Sequence, residues 1–348
     1  MKDYKKHLIS ERETIKEVLL KLGTLEEENI LFVINGKGQL VGSVTDGDVR
    51  RGLLNNFTTS DKITNIIHRN PKFINKVNYS VDEIIFLRNN NYKVIPVVND
   101  ENIVVNIINF RLQKSYLPID AVIMAGGLGS RLRPLTNDLP KPLLKVGDKE
   151  IISYNFDRLS EYGILNQKIT VNYLSNLIKD YCSSYNENID FEIIEEKEFM
   201  GTAGSLSLVK SFKNDTVLLM NSDLLTNIDY EDFYKSFIKH NADVMVASIP
   251  YSVNLPYAIF DLEDKRVTSF KEKPSYTYYA NAGIYLMKKE IIDEIPKGSF
   301  FNATDLMQLI IESPDKELKH YPIRNYWLDI GKHEDYEKAQ KDVKHIKF

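Results

Sequence analysis

From Ile119 onward the sequence alternates short apolar runs with amphipathic stretches, and this alternation restricts the fold more than any other feature. The apolar runs typical of buried strands lie at 121–125, 169–171, 217–220 and 244–249. The helical stretches between them include 152–162, 202–212 and 230–240. Such alternation predicts an α/β fold with a mainly parallel sheet. Ligands bind these sheets beyond the carboxyl ends of the strands, so the polar residues there are the functional candidates.

The first of these strands runs directly into a glycine-rich loop, "GGLGSRLRPLT", at 126–136. Glycines at 126, 127 and 129 let the backbone approach a phosphate closely and point N–H groups at it. The loop is not a Walker loop, because no Lys–Ser/Thr pair follows the second glycine at the required spacing. It is not a dinucleotide fingerprint either, since Leu132 stands where the third glycine belongs. The loop therefore predicts a phosphate site of another kind.

Three cationic side chains are candidates for binding phosphate. Arg131 offers a permanently charged fork suited to phosphate oxygens. Lys141 lies between two prolines, which predicts an extended backbone that keeps its side chain aimed at a phosphate. Lys273, in "FKEKP", also precedes a proline. The same argument predicts an extended backbone there and a second phosphate group.

Two carboxylates are candidates for a metal site. Asp223 follows the apolar strand in "VLLMNSDLL", and Asp329 follows a short apolar stretch in "YWLDIG". Mg²⁺ prefers oxygen ligands together with substrate phosphates, so the pair predicts Mg²⁺ as cofactor. Either residue alone could simply cap a helix. In "ANAGIYLM", Asn281 and Gly283 precede another strand and are suited to sugar hydroxyls.

Residues 119 to about 340 resemble the sugar-1-phosphate nucleotidyltransferases. The elements that carry the resemblance are G-G-x-G-[ST]-R-L-x-P-L-T at 126–136, P-K-P at 140–142, G-T-A at 201–203, the metal aspartate at 223, E-K-P at 272–274 and W-x-D-I-G at 327–331. The resemblance implies a Rossmann-like domain that transfers a nucleoside monophosphate from a triphosphate to a sugar 1-phosphate, releasing pyrophosphate.

The resemblance also implies roles for individual residues. Arg131 is assigned to the leaving pyrophosphate, Lys141 to the α-phosphate and Lys273 to the sugar phosphate. Asp223 is assigned to catalysis and, with Asp329, to Mg²⁺. The implied nucleotide-binding residues are Ala125, Gly126, Gly127, Gly129, Ser130, Gly201, Thr202 and Ala203. The implied sugar-phosphate-binding residues are Glu272, Lys273, Asn281 and Gly283.

The choice of substrates is less restricted. The G-T-A motif continues to Gly204, and this form resembles guanylyltransferases and some uridylyltransferases. We therefore favour GTP, with UTP as the alternative, and a mannose, manno-heptose or glucosamine 1-phosphate for bacterial surface-glycan or nonulosonate sugars. A catalytically inactive nucleotide sensor and a nicotinamide oxidoreductase are the competing functions.

The first third of the chain is predicted to be an internal duplication. Capping boxes at 10–13 and 80–83 each open a helix, the first ending at Gly23. Each helix is followed by a strand, a turn and a second strand, at 30–44 and 93–108. These two copies, about 1–60 and 61–117, predict a small α+β domain ahead of a catalytic domain at 118–348.

The first copy continues "GSVTDGDVRRGLL", which resembles a cystathionine-β-synthase-type (CBS) repeat through Gly42, Thr45 and Asp48. The resemblance implies that Thr45 and Asp48 hold the phosphate and ribose of an adenine nucleotide. The alternative is that both residues only cap the following helix. Strand alignment places Ile108 and Arg111 at these two positions in the second copy, so at most one adenosyl site is expected.

Composition excludes other classes of partner. A formal net charge of −4 is no electrostatic reason to expect nucleic acid or an anionic membrane. Cys182 is the single cysteine, which excludes an internal disulfide and favours a reducing compartment. No apolar run approaches the roughly 20 residues of a membrane span. We therefore expect a cytoplasmic protein, and a homo-oligomer.

Overall fold

A computed structural model of the chain describes residues 4–25, 28–186, 188–346 and 348, which form two compact units. The first unit contains the chain up to Leu117 together with Ser160–Leu165 and Asn186–Asp190, and the second unit contains the rest. Among these described residues, no helix combines the length and apolar character needed to cross a membrane.

The first unit contains two copies of one β-α-β-β arrangement. The first copy comprises β1 (Leu8–Ser10), α1 (Ile15–Leu22), β2 (Ile30–Ile34), β3 (Leu40–Thr45) and α2 (Asp46–Leu54). The second comprises β4 (Ile74–Asn75), α3 (Val81–Asn89), β5 (Val94–Val98) and β6 (Val104–Asn109). In each three-stranded sheet the middle strand pairs in parallel with the first strand and antiparallel with the third. The shared topology agrees with an internal duplication, whereas the assignment to CBS repeats stays a prediction.

The two hairpins match residue for residue. Ile30 lies opposite Thr45 in the first and Val94 opposite Asn109 in the second, with a register shift at the same place in both ladders. Asn109 is therefore the equivalent of Thr45, and Leu112 that of Asp48. The expected alignment through Ile108 and Arg111 was wrong by one residue, because the two turns have equal length and the copies align without a gap.

The helix starts are set by hydroxyl side chains. Ser80 caps α3 as predicted, with its Oγ accepting the Glu83 N–H at 3.1 Å. In the first copy the cap is Thr14, whose N–H donates to Glu17 at 2.7 Å. The prediction of Ser10 was wrong because Ser10 is the last residue of β1 and pairs with β2. Gly23 ends α1, as predicted.

The second unit is built on a seven-stranded sheet. The next elements along the chain are β7 (Ile119–Met124), β8 (Lys145–Val146), β9 (Lys149–Glu150), α4 (Ile151–Glu161), β10 (Asn166–Val171), α5 (Ser175–Tyr185), β11 (Asp190–Glu195), α6 (Gly201–Gly204), β12 (Thr216–Asn221), β13 (Leu224–Thr226) and α7 (Tyr230–Lys239). The remaining ones are β14 (Val244–Asn254), β15 (Ile259–Glu263), β16 (Arg266–Lys271), β17 (Ser275–Lys288), α8 (Ala303–Glu312), β18 (Leu318–Pro322), β19 (Trp327–Asp329) and α9 (His333–Asp342).

Strand order in this sheet is β11-β10-β7-β12-β17-β14-β18. β10, β7 and β12 run parallel to one another, β14 runs parallel to β18, and β17 is antiparallel to both of its neighbours. The predicted α/β fold with a mainly parallel central sheet is confirmed. Buried side chains of β12, β14 and β17 pack against α8 in one core.

The predicted helix over 202–212 is much shorter in the structure. α6 ends at Gly204 and continues only as a 3-10 turn over Ser205–Leu208. The N–H groups of Ala203 and Gly204 both donate to the Phe301 carbonyl, at 2.9 and 2.8 Å, instead of building a longer helix. The segment is thereby held against the loop that precedes α8.

Two features of the second unit position the site. β7 and β12 are in register with Met124 opposite Asn221, so these neighbouring parallel strands end at the same level. A ribbon of β13 and β19 then places Leu224 opposite Asp329, and the Ile330 N–H donates to the Asp223 carbonyl at 3.1 Å. Two acids that lie about a hundred residues apart in sequence therefore become neighbours.

Candidate active site

A cavity of about 450 Å³ lies at the carboxyl ends of the central strands. The residues that follow β10, β11 and β12, namely Asn172, Glu196 and Ser222, all line it. The loop after β7 contributes residues 126–131. This is the edge of the sheet at which α/β folds bind ligands.

The glycine loop presents its backbone to this cavity. Among the residues that the structure describes, no hydrogen-bond acceptor contacts the N–H groups of residues 126–129. Gly129 has a left-handed φ of 59°, and a Cβ there would lie 3.1 Å from the Cβ of Lys141. A Cβ at Gly126 would lie 2.9 Å from Glu196 Oε1. Consecutive N–H groups without acceptors form the type of concavity that binds phosphate.

Lys141 and Asp223 line the cavity and form a charged cluster with Asp329, which is not itself a lining residue. The ammonium of Lys141 contacts Asp223 Oδ2, and both side chains are largely buried, with 11% and 19% of their surface exposed. One carboxylate oxygen of each acid, Oδ1, is buried without a hydrogen-bond partner in the described part of the chain. Buried acceptors without partners are expected at an ion site.

The electrostatics of Asp329 point to the same use. Burial and, to a lesser extent, the nearby Asp223 carboxylate raise the pKa of Asp329 to about 6, against the opposing charges of Lys141 and Arg131. No cluster of three or more His, Cys, Asp and Glu side chains able to hold a metal occurs within the described ranges. Mg²⁺ sites commonly use only one or two carboxylates and take further ligands from substrate phosphates. Asp223 and Asp329 therefore fit a Mg²⁺ site whose remaining ligands come from substrate phosphates.

Arg131 lies beside this cluster on a 3-10 turn, Ser130–Leu132. Leu132 is fully buried among apolar residues and anchors the turn, which leaves Arg131 and Ser130 exposed on the cavity wall. Arg131 Nη1 lies 3.5 Å from the position of a Cβ built on Gly331, an ordinary van der Waals distance, so the guanidinium lies next to this cavity-lining glycine.

A buried acid forms the opposite wall. Glu196 is only 4% exposed and lines the cavity, with Oε2 accepting the Met200 N–H at 3.1 Å. Burial raises the pKa of Glu196 above its usual range, against the hydrogen bond from Met200. Phe199 lies next to it and is stacked in a tilted arrangement on Phe300, with ring centroids 6.0 Å apart.

The G-T-A motif contributes to this wall in part. Gly201 and Thr202 line the cavity, and the Thr202 hydroxyl accepts the Ala303 N–H at the start of α8, at 2.8 Å. Gly201 has φ 78°, and a Cβ there would lie 2.7 Å from the Phe301 carbonyl. Ala125 and Ala203 are buried and do not line the cavity.

None of the four predicted sugar-phosphate residues lines the cavity, but Asn281 and Gly283 lie on a strand that approaches it. Gly283, on β17, lies against the cavity-lining Asn221, since a Cβ on Gly283 would lie 2.6 Å from its Nδ2. The Asn281 side chain accepts the Gly283 N–H at 2.9 Å. Trp327 adds a 2.9 Å hydrogen bond from Nε1 to the Ala282 carbonyl. These bonds hold the strand at the close approach to Asn221.

Glu272 and Lys273 do not line the cavity. They occupy the turn between β16 and β17, on an exposed arm formed by the outer halves of β14 and β17 with the β15–β16 hairpin, residues 249–280. The β17 segment from Ser275 to Gly283 spans roughly 26 Å when extended. The predicted extended backbone at Lys273 was wrong, because its φ is 45°. The same prediction was wrong for Lys141, which begins a 3-10 turn.

Sequence reasoning missed Asn172, Glu196 and Phe199. Asn172 and Glu196 each follow a strand directly, so the rule that identified Asp223 would have found Asn172 after the predicted strand at 169–171. Glu196 follows β11, whose mixed sequence "DFEIIE" lacks a continuous apolar run. Phe199 carries no comparable sequence signal.

In the first unit, Thr45 and Asp48 form a capping box at the start of α2. Asp48 Oδ2 accepts from the Thr45 hydroxyl at 2.6 Å, and Oδ1 pairs with Arg51 at 2.5 Å. The capping alternative is therefore realised. Adenine nucleotide binding at Thr45 and Asp48 stays a prediction, and it would require Arg51 to release Asp48.

The fold and cavity of the second unit define an α/β protein with a cavity at its strand ends that is bordered by a glycine loop. The sequence profile of the "Nucleotidyl transferase" family matches residues 120–346. The chain therefore belongs to the nucleotidyl transferase family, as predicted, and is an enzyme of that class.

Named relatives cover the same part of the chain. D-glycero-alpha-D-manno-heptose 1-phosphate guanylyltransferase of Aneurinibacillus thermoaerophilus is 30% identical over 232 residues, which is 65% of this chain and 99% of the relative. Mannose-1-phosphate guanyltransferase of Schizosaccharomyces pombe is 28% identical over 228 residues, and the match spans 62% of each protein.

Two solved structures are similar to the second unit. HddC from Yersinia pseudotuberculosis, complexed with GMP-PN, has a TM-score of 0.51 and 25% identity, covering 64% of this chain and 99% of that one. A putative glucose-1-phosphate thymidylyltransferase from Bacillus anthracis has a TM-score of 0.53 at 23% identity, covering 66% of this chain and 97% of that one. The second likeness supports the fold alone.

Proposed function

We propose that the enzyme is a sugar-1-phosphate guanylyltransferase, which converts GTP and a manno-configured sugar 1-phosphate into a GDP-sugar and pyrophosphate. The observation that carries this proposal is one cavity bordered by free N–H groups, two cations, a buried glutamate and Asp223, which has Asp329 as its neighbour. Each of these groups matches one part of the two substrates.

The reaction is an exchange at the α-phosphorus of the nucleotide. An oxygen of the sugar phosphate forms a bond to this phosphorus while the bond to the bridging oxygen of the β-phosphate breaks. The second pKa of a phosphate monoester is about 6, so the attacking oxygen is already anionic at neutral pH. No general base is needed, which agrees with a cavity without a lining histidine among the described residues.

The protein's task is to bring two anions together and to receive the leaving charge. We assign the N–H groups of residues 126–129 and Arg131 to the β- and γ-phosphates, which leave as pyrophosphate. Lys141 is assigned to the α-phosphate. Mg²⁺ at Asp223 and Asp329 would supply charge neutralisation of the triphosphate when bound.

Glu196 supports guanine over uracil. The Watson–Crick edge of guanine offers two adjacent kinds of N–H donor, at N1 and N2, and an ionised carboxylate can accept both. Uracil offers one N–H between two carbonyl oxygens, which would repel a carboxylate. The cost of burying Glu196 is offset when two donors satisfy it. Phe199, beside Glu196, is placed to stack on the base.

The names of the two relatives support a manno-configured sugar. One relative is named for a manno-heptose 1-phosphate and the other for mannose 1-phosphate. These sugars share the configuration of the ring. We place the sugar beside Asn221, at the point where Gly283 approaches it closely. Glucosamine 1-phosphate is the alternative acceptor to be compared.

The test is pyrophosphate release from a matrix of four nucleoside triphosphates against manno-heptose, mannose and glucosamine 1-phosphates. We expect the highest kcat/KM with GTP and a manno-configured acceptor. Highest turnover with UTP would replace the guanylyltransferase proposal by the uridylyl alternative. Nucleotide binding without pyrophosphate release from any pair would favour a non-catalytic sensor.

Glu196→Gln tests the recognition of the base. A glutamine can accept from only one of the two guanine donors and places its own NH₂ near the other, so kcat/KM for GTP should fall at least 30-fold. The kcat/KM for UTP should fall less. Glu195→Gln is the matched control, because Glu195 is the adjacent carboxylate but is exposed and paired with Lys179 at 3.0 Å. Equal losses for GTP and UTP would exclude Glu196 as the base-reading residue.

A further inference from the structure

We propose that Lys141 is an exchangeable counter-ion, which neutralises Asp223 in the nucleotide-free enzyme and moves to the phosphates when a metal–nucleotide complex binds. This inference rests on the proposed function and deepens it. It assigns an order of binding, in which the metal enters together with the nucleotide and not before it.

The ion pair of Lys141 and Asp223 occupies the place that the metal requires. Lys141 contacts Asp223 Oδ2 from inside the cavity, and Oδ1 of the same carboxylate is buried without a partner among the described residues. A bare divalent cation would therefore meet an ammonium group at its own ligand. Like charges at such a short distance in a poorly hydrated site repel each other strongly.

Only the end of the lysine side chain is free to exchange. The backbone of Lys141 is fixed in the 3-10 turn Lys141–Leu143, in which all three residues are buried. Its Cβ packs beside Gly129 in the glycine loop. A rotation of the outer side chain would carry the ammonium from Asp223 toward the loop that lines the same cavity. The anchor therefore permits two positions for one charge.

The local charges balance before the exchange, and the exchange redistributes the cations toward the incoming anion. Without ligands, the carboxylates of Asp223 and Asp329 face the cations Lys141 and Arg131, both of which act on Asp329. A divalent ion brings two positive charges to the carboxylates, and the triphosphate brings the negative charge to which both cations are then attracted. A metal that binds alone has no anion to which Lys141 can move.

The experiment is a titration with Mn²⁺, which replaces Mg²⁺ and is counted by its electron paramagnetic resonance signal. Without nucleotide, we expect weak binding to the wild type and at least 10-fold tighter binding to Lys141→Met, which keeps the length and loses the charge. With GTP present and no sugar phosphate, the wild-type affinity should rise at least 10-fold. The same addition should improve the affinity of Lys141→Met by a smaller factor.

Three variants control this result. Lys141→Arg keeps the counter-ion and should bind Mn²⁺ as weakly as the wild type. Lys145→Met removes a nearby lysine that is exposed and should change nothing. Lys141→Gln is a second neutral variant, to be used in place of Lys141→Met if thermal unfolding shows that the methionine variant does not fold.

Two outcomes separate this inference from the proposed function. If the neutral variants bind Mn²⁺ no more tightly than the wild type while GTP still recruits the ion, the exchange is refuted and the metal site survives. If GTP recruits no Mn²⁺ to the wild type, so that wild type and Asp223→Asn are equal, the metal role itself is wrong and the exchange fails with it.

Discussion

Lys141 and Lys273 have the same local sequence context, a lysine before a proline, and the structure places them in opposite settings. Lys141 is buried in a 3-10 turn on the cavity wall and is paired with Asp223. Lys273 is exposed on the arm formed by residues 249–280, with a left-handed backbone. A following proline limits the backbone of a residue but does not decide it. The surrounding strands decide which lysine lies at the site.

The two lysines belong to two different parts of the proposed site. The cavity is preformed, whereas the arm formed by residues 249–280 is exposed. At the cavity, charges are held by buried backbone and are neutralised within the chain. On the arm, the paired residues Phe260 and Phe270 of β15 and β16 are both more than half exposed. An isolated two-stranded hairpin is marginally stable in water. The comparison thus predicts large effects for changes at the cavity and selective effects for changes on the arm.

The largest effect is expected for Asp223→Asn, which removes the proposed metal ligand and the partner of Lys141 together. Turnover should fall more than 100-fold, because the developing charge on the phosphates is no longer compensated. Pyrophosphate release gives the rate, and thermal unfolding reports whether the fold is kept. Asp215→Asn, at an exposed acid paired with Lys289, should retain wild-type activity. Near-normal turnover of Asp223→Asn would contradict the expectation that changes at the cavity have larger effects than changes on the arm.

An intermediate and selective effect is expected for Lys273→Met. If Lys273 on the arm contacts the sugar phosphate, the KM for the sugar 1-phosphate should rise about 10-fold, and GTP binding measured without sugar should not change. The control is Lys271→Met, two residues earlier at the end of the exposed strand β16. Unchanged kinetics in both variants would show that the arm takes no part in acceptor binding.

The smallest effect is expected for the stability of Asp329→Asn. Burial raises the pKa of Asp329 to about 6, above its usual 3.8, so the folded state binds the proton more tightly than the unfolded state. The contribution of this group to stability is therefore greatest at low pH and is lost as the pH rises from about 4 to 6. At pH 8 the asparagine variant should unfold about 2–4 °C higher than the wild type in EDTA, although it should be inactive.

Thermal unfolding at pH 8 and pH 4 checks the sign of this effect. The advantage of Asp329→Asn should shrink at pH 4, where more of the wild-type carboxyl is protonated. Asp215→Asn again serves as the exposed control. A lower unfolding temperature than the wild type at pH 8 would mean that the attraction of Asp329 to Lys141 and Arg131 outweighs the cost of burial.

The alternation of strands and helices, with the rule that ligands bind beyond the carboxyl ends of the strands, predicted much of the fold and of the cavity. The glycine loop, Arg131, Lys141 and Asp223 line the cavity, because parallel strands in register must end at a common edge. Asp329 was a candidate from its place after a short apolar stretch, but its position next to Asp223 could not be derived, since the ribbon with β13 depends on pairing across about a hundred residues. The backbone at Lys273 could not be read from the sequence, because the turn between β16 and β17 is set by tertiary pairing.

In the first unit, local sequence patterns predicted the hairpins correctly and one helix cap incorrectly. Strand–turn–strand units were predicted at 30–44 and 93–108, and hairpins formed there, at 30–45 and 94–109. The cap at Thr14 was missed because a capping box at Ser10 fitted equally well in sequence. Only the pairing of β1 with β2 shows that Ser10 belongs to a strand.

The matching hairpins in the first unit are joined tip to tip. The Leu40 N–H donates to the Asn102 carbonyl at 2.9 Å, and the Val104 N–H donates to the Gly38 carbonyl at 3.2 Å, in a reciprocal pair of bonds. Equivalent residues that contact each other in this way have the geometry of a twofold-symmetric dimer. Tethering both halves in one polypeptide makes their encounter intramolecular, at an effective concentration in the millimolar range. Association of these halves therefore does not depend on how abundantly a cell makes the protein.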